Sequence, residues 1–284
     1  LKRYLKIELK KALTNKWFLA VLGIAVAITF LNSKEMIEVL IKFQEVQIRM
    51  GEYKQEEYVF LSLYGTWIGV ENHTLGMALY FFLFPLFALA AYGWSYYGER
   101  KSGYVKNVVS RTNKKIYFAS KYIATFVAGG LAMVIPMIIN IFLTCLYSNF
   151  ALPDYLYGYV AMTHGSLWAE LYFTHPLLFT IGYLAIDFVF CGLIACISMT
   201  LAFFIRSRLA VLLLPFFFLL GVDYLKRDIG GWLGTEFEMS PMYFLHPTPF
   251  PRPVHGGVIL LWMLVLFAIT FGICMTRGRK DDVF

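Results

Sequence analysis

Apolar residues in this chain come in runs too long and too uniform for the helices of a water-soluble domain. About 20 mainly apolar residues cross a bilayer as an α-helix. Six stretches qualify: 17–33, 75–97, 122–147, 176–205, 209–222 and 258–275. The fifth is short, so it borrows residues from its flanks or ends in an irregular stretch. Ahead of the first run, Leu1, Leu5, Leu9 and Leu13 recur every four positions with Tyr4 and Ala12, while Lys2, Lys6 and Lys10 repeat at the same interval. This predicts an amphipathic helix over residues 1–16, lying in the membrane interface with its lysines near anionic headgroups; the alternative is a mere positive flank of the first span. Ala25-Val26-Ala27 mimics a signal cleavage site, but the long patterned basic region favours a retained anchor helix. Met36, Val39, Leu40, Phe43 and Val46 give the start of the next loop a helical spacing of its own.

Composition agrees. Of 284 residues, 59% are hydrophobic, 18% aromatic and only 15% charged. Soluble domains average about 45–50% apolar and about 25% charged, and a core of this size cannot hide the excess. Intrinsic disorder is excluded for the same reason. The expected class is an all-α integral membrane protein with six transmembrane helices.

The net charge of +7 matters for where it lies. Eighteen of the 25 Lys and Arg precede the first run, join the second to the third, join the fourth to the fifth, or follow the sixth. The other three loops hold seven Lys and Arg but thirteen of the 18 acids. Basic residues collect on the cytoplasmic side, so both termini are expected to be cytoplasmic and the protein multi-pass in the cell membrane. The charge is thus an orientation signal and not a nucleic-acid surface. On the outer side, the loop 34–74 is long and acidic. The loop 151–175 carries Tyr155, Tyr157, Tyr159, Trp168 and Tyr172, rings that suit the headgroup level. The loop 223–257 ends in a stiff Pro-rich string, His246 to Pro253.

Catalytic chemistry finds little support. Cys145, Cys191, Cys196 and Cys274 lie in apolar runs and read as small buried hydrophobes. The five histidines, His73, His164, His175, His246 and His255, are scattered over the outer loops without paired ligand spacing, so they read as solvent or interface residues and no metal site is expected. There is no zinc-protease motif and no nucleophile elbow. Gly230-Gly231-Trp232-Leu233-Gly234-Thr235 lacks the lysine of a phosphate loop, so the chain does not hydrolyse ATP by itself. Asp187 stands alone within the fourth run. A carboxylate there must face protein or water; it is either a cavity residue for a cationic or amphipathic substrate, or a protonated or hydrogen-bonded one, with a Tyr or Ser on a neighbouring helix as the candidate partner. Pro85, Pro136 and Pro215 should bend their spans, and Gly129-Gly130 and Gly192 permit close helix packing.

The segment Glu99-Arg100-Lys101-Ser102-Gly103-Tyr104-Val105-Lys106-Asn107-Val108-Val109-Ser110-Arg111 carries most information. Tyr104, Val105, Val108 and Val109 share one side of a short helix that Gly103 starts and Thr112-Asn113 ends. Its apolar side needs cover, unless the segment is a basic connector resting on anionic lipid. With Lys-Lys-Ile-Tyr-Phe-Ala-Ser-Lys leading into the third run, this region resembles the type-2 permeases of ATP-binding-cassette (ABC) exporters, in particular Gram-positive peptide-exporter subunits of the phenol-soluble-modulin or bacteriocin kind. The resemblance implies that the loop is a coupling helix docking on a separate ATPase. Glu99, Arg100, Gly103, Tyr104, Val105, Lys106 and Asn107 then become candidate ATPase contacts. It further implies a homodimer with two ATPase subunits, ATP and Mg bound only by those partners, and export of a peptide or lipid-like cargo. A membrane-embedded enzyme acting on lipid or peptide at the outer surface through the His246–His255 segment is the alternative, with a non-transporting immunity or sensor subunit as a third reading.

Overall fold

The computed structural model describes residues 2–50, 62–153, 162, 166–232, 238–247 and 254–280, and among these it is all-helical, with a single isolated bridge between Ser62 and Asn149. In chain order the helices are α1 (Lys2–Leu13), α2 (Lys16–Arg49), α3 (Leu63–Thr66), α4 (Leu75–Ala88), α5 (Ser95–Lys101), α6 (Tyr104–Val109) and α7 (Lys114–Thr144). There follow α8 (Ala169–Thr174), α9 (Pro176–Leu201), α10 (Arg208–Trp232), α11 (Pro241–Phe244) and α12 (Gly256–Lys280). Six elements are long and apolar enough to cross a membrane: α2, α4 with α5, α7, α9, α10 and α12. This is a multi-pass helical membrane protein.

The apolar runs coincide with these six elements, but the helices outlast them. The helical spacing after Lys34 belongs to α2 itself, which continues to Arg49, so the first 16 residues of the expected 34–74 loop are span or its extension. The short fifth run borrows residues from its flank, as one of its two expected outcomes had it: α10 continues past Val222 to Trp232. Asn113, expected to end the short helix before it, instead starts the next one: its side chain accepts the Lys115 N–H at 2.9 Å, capping α7. Lys114, Lys115 and Lys121 are therefore helix residues and not loop residues.

Pro85 marks a change of backbone. It lacks an N–H, so a helical bond is lost upstream. Four residues on, Leu89–Gly93 forms a π-helical turn that joins α4 to α5. Such insertions re-aim the residues beyond them, and here the segment downstream turns Tyr92, Ser95 and Glu99 toward α7.

The bundle is centred on α9, with 61% of its apolar window buried, against 22% for α10 and for α12 at the periphery. Its main neighbour is α7. A Cβ on Gly130 would stand 2.6 Å from the Phe188 carbonyl oxygen, and one on Gly192 would stand 2.7 Å from that of Phe126. Only hydrogen fits at these crossings, so the glycines act as intrachain packing residues. The end that carries α1 also carries the close of α12, where Gly278 lies against Phe118 and Cys274 Sγ lies 3.9 Å from the Phe118 carbonyl. Both ends of the described chain thus lie at one end of the bundle.

At the opposite end, α2, α4 and α7 are joined by buried amides and a carboxylate. Asn140 Nδ2 donates to Asn32 Oδ1 at 2.8 Å, and Asn32 Nδ2 donates to Glu71 Oε1 at 2.6 Å. Glu71, expected to contribute to an acidic loop surface, is fully buried, and burial raises its carboxyl above the ordinary carboxylate range. The segment 238–247 folds back among the helices. Phe244 meets Phe190 of α9 with ring centroids 5.3 Å apart, and Trp262 Nε1 donates to the Met239 carbonyl at 3.0 Å. His246, expected at a solvent or interface position, is buried edge-on against Phe81. Tyr172 is also buried, not in a headgroup belt, whereas Trp168 is half exposed. The other expected belt residues Tyr155, Tyr157 and Tyr159 lie outside the described residues, as do His164 and most of the Pro-rich string.

Candidate functional site: a buried charge cluster behind a short helix

Three elements meet around one lysine. Lys121 lies on the stripe of α7 formed by Tyr117, Ala124 and Ala128, all of them fully buried. A lysine on that stripe must find acceptors or leave the core. Its ammonium lies 2.7 Å from Glu99 Oε1, 2.8 Å from Ser95 Oγ, 3.0 Å from the Tyr92 hydroxyl and 3.2 Å from Glu8 Oε2. Tyr92 in turn donates to Glu8 at 3.1 Å, and the Tyr117 hydroxyl donates to Glu99 Oε2 at 2.6 Å. Lys11 closes the cluster from the partly exposed side by pairing with Glu99. Two carboxylates and two ammonium groups therefore balance inside it.

The arrangement changes the meaning of α1. Its leucine stripe is only half buried, and its two buried residues are Glu8 and Ala12. Beside them, burial and the Glu8 carboxylate raise the Tyr4 phenol above its ordinary value. The helix is thus held to α7 by a charged contact as well as by apolar packing. Asn15 caps α2 directly after it by accepting the Trp17 N–H at 3.1 Å, which fixes the corner between them.

From the cluster the connection runs outward to α6. The Lys11 ammonium also sits over the Tyr104 ring, 4.5 Å from its centroid, a cation–π contact. Gly103 precedes α6 with φ +72°, a left-handed conformation that costs a non-glycine residue about 1–2 kcal/mol. That turn breaks α5 from α6 and orients the short helix.

The seven expected contact residues separate into three groups. Tyr104, Lys106 and Asn107 are exposed, with Gly103 half-buried at their base. Glu99 and Val105 are buried inside the chain and present no surface to a partner. Arg100 turns toward the end of α9, donating through Nη1 to the carbonyls of Ala202 and Phe203, each at 3.0 Å. The apolar side of α6 needs no partner for cover, because Val105, Val108 and Val109 pack in a cluster with Tyr96, Tyr117 and Phe118. What α6 offers outward is its polar edge and the Tyr104 ring, 42% exposed.

No family model, curated protein or solved structure matches this chain. The reading of the site therefore rests on its residues and their geometry.

The sequence pattern held two signals for the cluster. Glu8 is the sole acid among the six cations of the first 16 residues, and Lys121 falls in phase with the apolar stripe of the following span. Neither signal names its partner, because residues 8, 99 and 121 are joined only through the crossing of three helices.

Asp187 is the second site residue singled out by the pattern, and it is fully buried on α9. Tyr80, Tyr183 and Cys191 are the titratable groups near it. Among the described residues neither carboxylate oxygen has a hydrogen-bond partner, and no Tyr or Ser there satisfies it. A buried polar group left without partners costs about 1–3 kcal/mol, and more when charged. Asp187→Leu, close in volume and apolar, is accordingly expected to raise the thermal midpoint of the detergent-solubilised protein, by a stabilisation of about 1–3 kcal/mol. A lowered midpoint would mean that the carboxylate is satisfied after all.

Proposed function

We propose that this chain is the permease subunit of an ABC exporter, carrying a hydrophobic or amphipathic cargo, most simply a peptide, through the cell membrane. In this reading both termini face the cytoplasm, α1 rests at the cytoplasmic interface, and α6 is the coupling helix. A second copy completes the path, and two separate ATPase subunits bind ATP with Mg and supply the energy.

The observation that carries the reading is the mechanical linkage of α6. A helix that transmits force must present residues outward and be fastened firmly inward. Tyr104, Lys106 and Asn107 point outward, while Val105, the Lys11–Tyr104 contact and the Glu99–Lys121 pair tie the same segment to α1 and α7. A push on Tyr104 thereby reaches Lys11 and Glu99 through direct contacts. The distribution of basic residues, and the resemblance of residues 97–123 to type-2 permeases, support placing this end in the cytoplasm. The outer-enzyme alternative draws no support from His246, whose imidazole is buried against Phe81.

The test is co-purification with an ABC ATPase and the response of its ATP hydrolysis to α6. Tyr104→Ala should leave the fold intact and reduce the coupled hydrolysis. Gly103→Ala is the sharper probe. A Cβ there meets no atom within 4 Å, so the change acts through the positive φ alone, costing about 1–2 kcal/mol locally. Coupling should fall by more than the thermal midpoint does. A chain that purifies without any ATPase, and whose variants leave ATPase activity unchanged, refutes the reading. Retained ATPase binding with no cargo-stimulated hydrolysis would instead identify a non-transporting subunit.

A further inference from the structure

A pocket of about 390 Å³ opens where three spans end together, lined by Tyr97, Arg100, Lys101, Ala202, Ile205 and Arg206. Three of these six residues are cations and none is acidic. The neighbouring carboxylate, Glu99, is turned away into the cluster around Lys121. The walls are fixed from within: the Tyr97 hydroxyl donates to the Arg206 carbonyl at 2.8 Å, and Arg100 holds the carbonyls that close α9. Lys101 and Arg206 are exposed and make no ion pair among the described residues. A built concavity into which Lys101 and Arg206 converge without an ion pair among the described residues is suited to an anion.

We infer that this pocket binds the phosphate of an anionic phospholipid. Its place in the fold selects the lipid over a protein partner. The second span ends at Lys101, the fourth at Leu201, and the fifth begins at Arg208, so the pocket lies at the membrane–water boundary. Apolar surface continues from it: Ile205 is in its lining, and Phe204 and Leu209 flank Arg206 with 54% and 69% of their surface exposed. Acyl chains fit beside such side chains, and an acidic loop of a soluble protein does not. The rim is a cation–aromatic belt of the kind found at headgroup level. Arg208 stacks on Trp94 at 3.7 Å and on Trp17 at 4.7 Å, and Arg277 lies over Phe204 at 5.3 Å. Basic pockets between spans hold lipid headgroups in this manner, each cation strengthening the attraction. The inference requires only that the chain be membrane-embedded and does not depend on the exporter reading.

The experiment uses the full chain, released from nanodiscs of phosphatidylcholine with a minor fraction of phosphatidylglycerol, with retained lipid counted by native mass spectrometry. The unaltered chain should retain phosphatidylglycerol selectively, and millimolar inorganic phosphate should not displace it. Lys101→Ala and Arg206→Ala remove exposed groups without touching the Tyr97 or Arg100 bonds, so the fold should persist, as checked by elution volume and helicity. Each is expected to weaken retention about fivefold, and the pair more than either alone. Lys42→Ala with Arg49→Ala, exposed cations on α2 away from the pocket, should leave retention unchanged. Equal loss in that control pair would reduce the effect to general surface charge and overturn the site. Binding of inorganic phosphate without lipid retention would assign the pocket to a free anion, also against the inference. So would unchanged lipid retention in the double variant accompanied by lost ATPase binding in pure phosphatidylcholine, which would give the pocket to a protein partner.

Discussion

Lys121→Met is expected to destabilise the protein by about 3–5 kcal/mol, the cost of breaking a buried ion pair from one side. Methionine approaches the length of the lysine but offers no donor. Glu8 and Glu99, 1% and 7% exposed, would then lose their shared ammonium, leaving Lys11 and the hydroxyls of Ser95, Tyr92 and Tyr117 to stabilise them among the described residues. The pair is not valuable because it is charged. Replacing all its members together costs little, since the desolvation of the ions disappears with their attraction. Adding Glu8→Gln and Glu99→Gln to Lys121→Met should therefore restore most of the stability, because the amide carbonyl introduced by Glu99→Gln can still accept the Tyr117 hydroxyl. Denaturant titration in micelles measures the loss. Limited proteolysis at the Thr14–Asn15 corner reads the release of α1, which should appear in the single variant and recede in the triple one. A loss below about 1 kcal/mol for Lys121→Met would show that α1 is held by its apolar contacts alone.

Acidification is expected to cost about 3 kcal/mol through His246. Burial pushes its imidazole from the ordinary 6.5 down to about 4, against backbone groups of Ile68 and Glu71 that favour the charged form. Above pH 6.5 the ring is neutral whether the chain is folded or not, and its contribution is fully present. Between 6.5 and about 4 the unfolded chain takes up a proton that the folded chain refuses, so stability falls by about 1.4 kcal/mol per pH unit. Below about 4 both states are protonated and the loss is complete. Two neighbours also titrate. Burial lowers His73, which acts in the same direction. Burial raises Glu71, whose protonation on acidification favours the folded state and opposes the loss. The check is therefore a difference: apparent thermal midpoints of the unaltered chain and of His246→Gln, from pH 7.5 to 4. The difference between the two curves should change across the window, with the glutamine variant losing less. Parallel curves would mean that water reaches the imidazole.

Legibility differed by kind of feature. The six spans could be read because each is a contiguous property of its own residues, and the Asn and Gly signals near residues 103–113 located a break between helices. Reading which helix Asn113 belongs to needed the structure, since an Asn serves equally as the end of one helix and the cap of the next. The helical spacing of residues 36–46 was legible but its continuity with the first span was not, and how far α10 borrows from its flank was not either, because hydropathy marks only where a helix ceases to be apolar. The apolar side of α6 was legible, but the chain's own Tyr117 and Phe118 cover it where a partner was expected. In the site, Tyr104, Lys106 and Asn107 stand exposed, whereas Glu99, named with them through the resemblance to type-2 permeases, is buried against Lys121, a partner on the next long helix that no local pattern announces.

What the sequence determines by itself is that this chain is built of six apolar helices, with its basic residues segregated into alternate connections. Hydrophobicity and charge act residue by residue against the surrounding medium, so their pattern needs no knowledge of contacts. The tertiary structure alone decides which charges remain available. Lys121 is one cation in a basic stretch of sequence and the centre of a buried cluster in the fold, while Lys101 and Arg206, similar in the sequence, line an open pocket. The difference lies in how α1, α5, α7 and α9 cross, and those crossings depend on close approaches such as Gly130 on Phe188 that join residues dozens of positions apart.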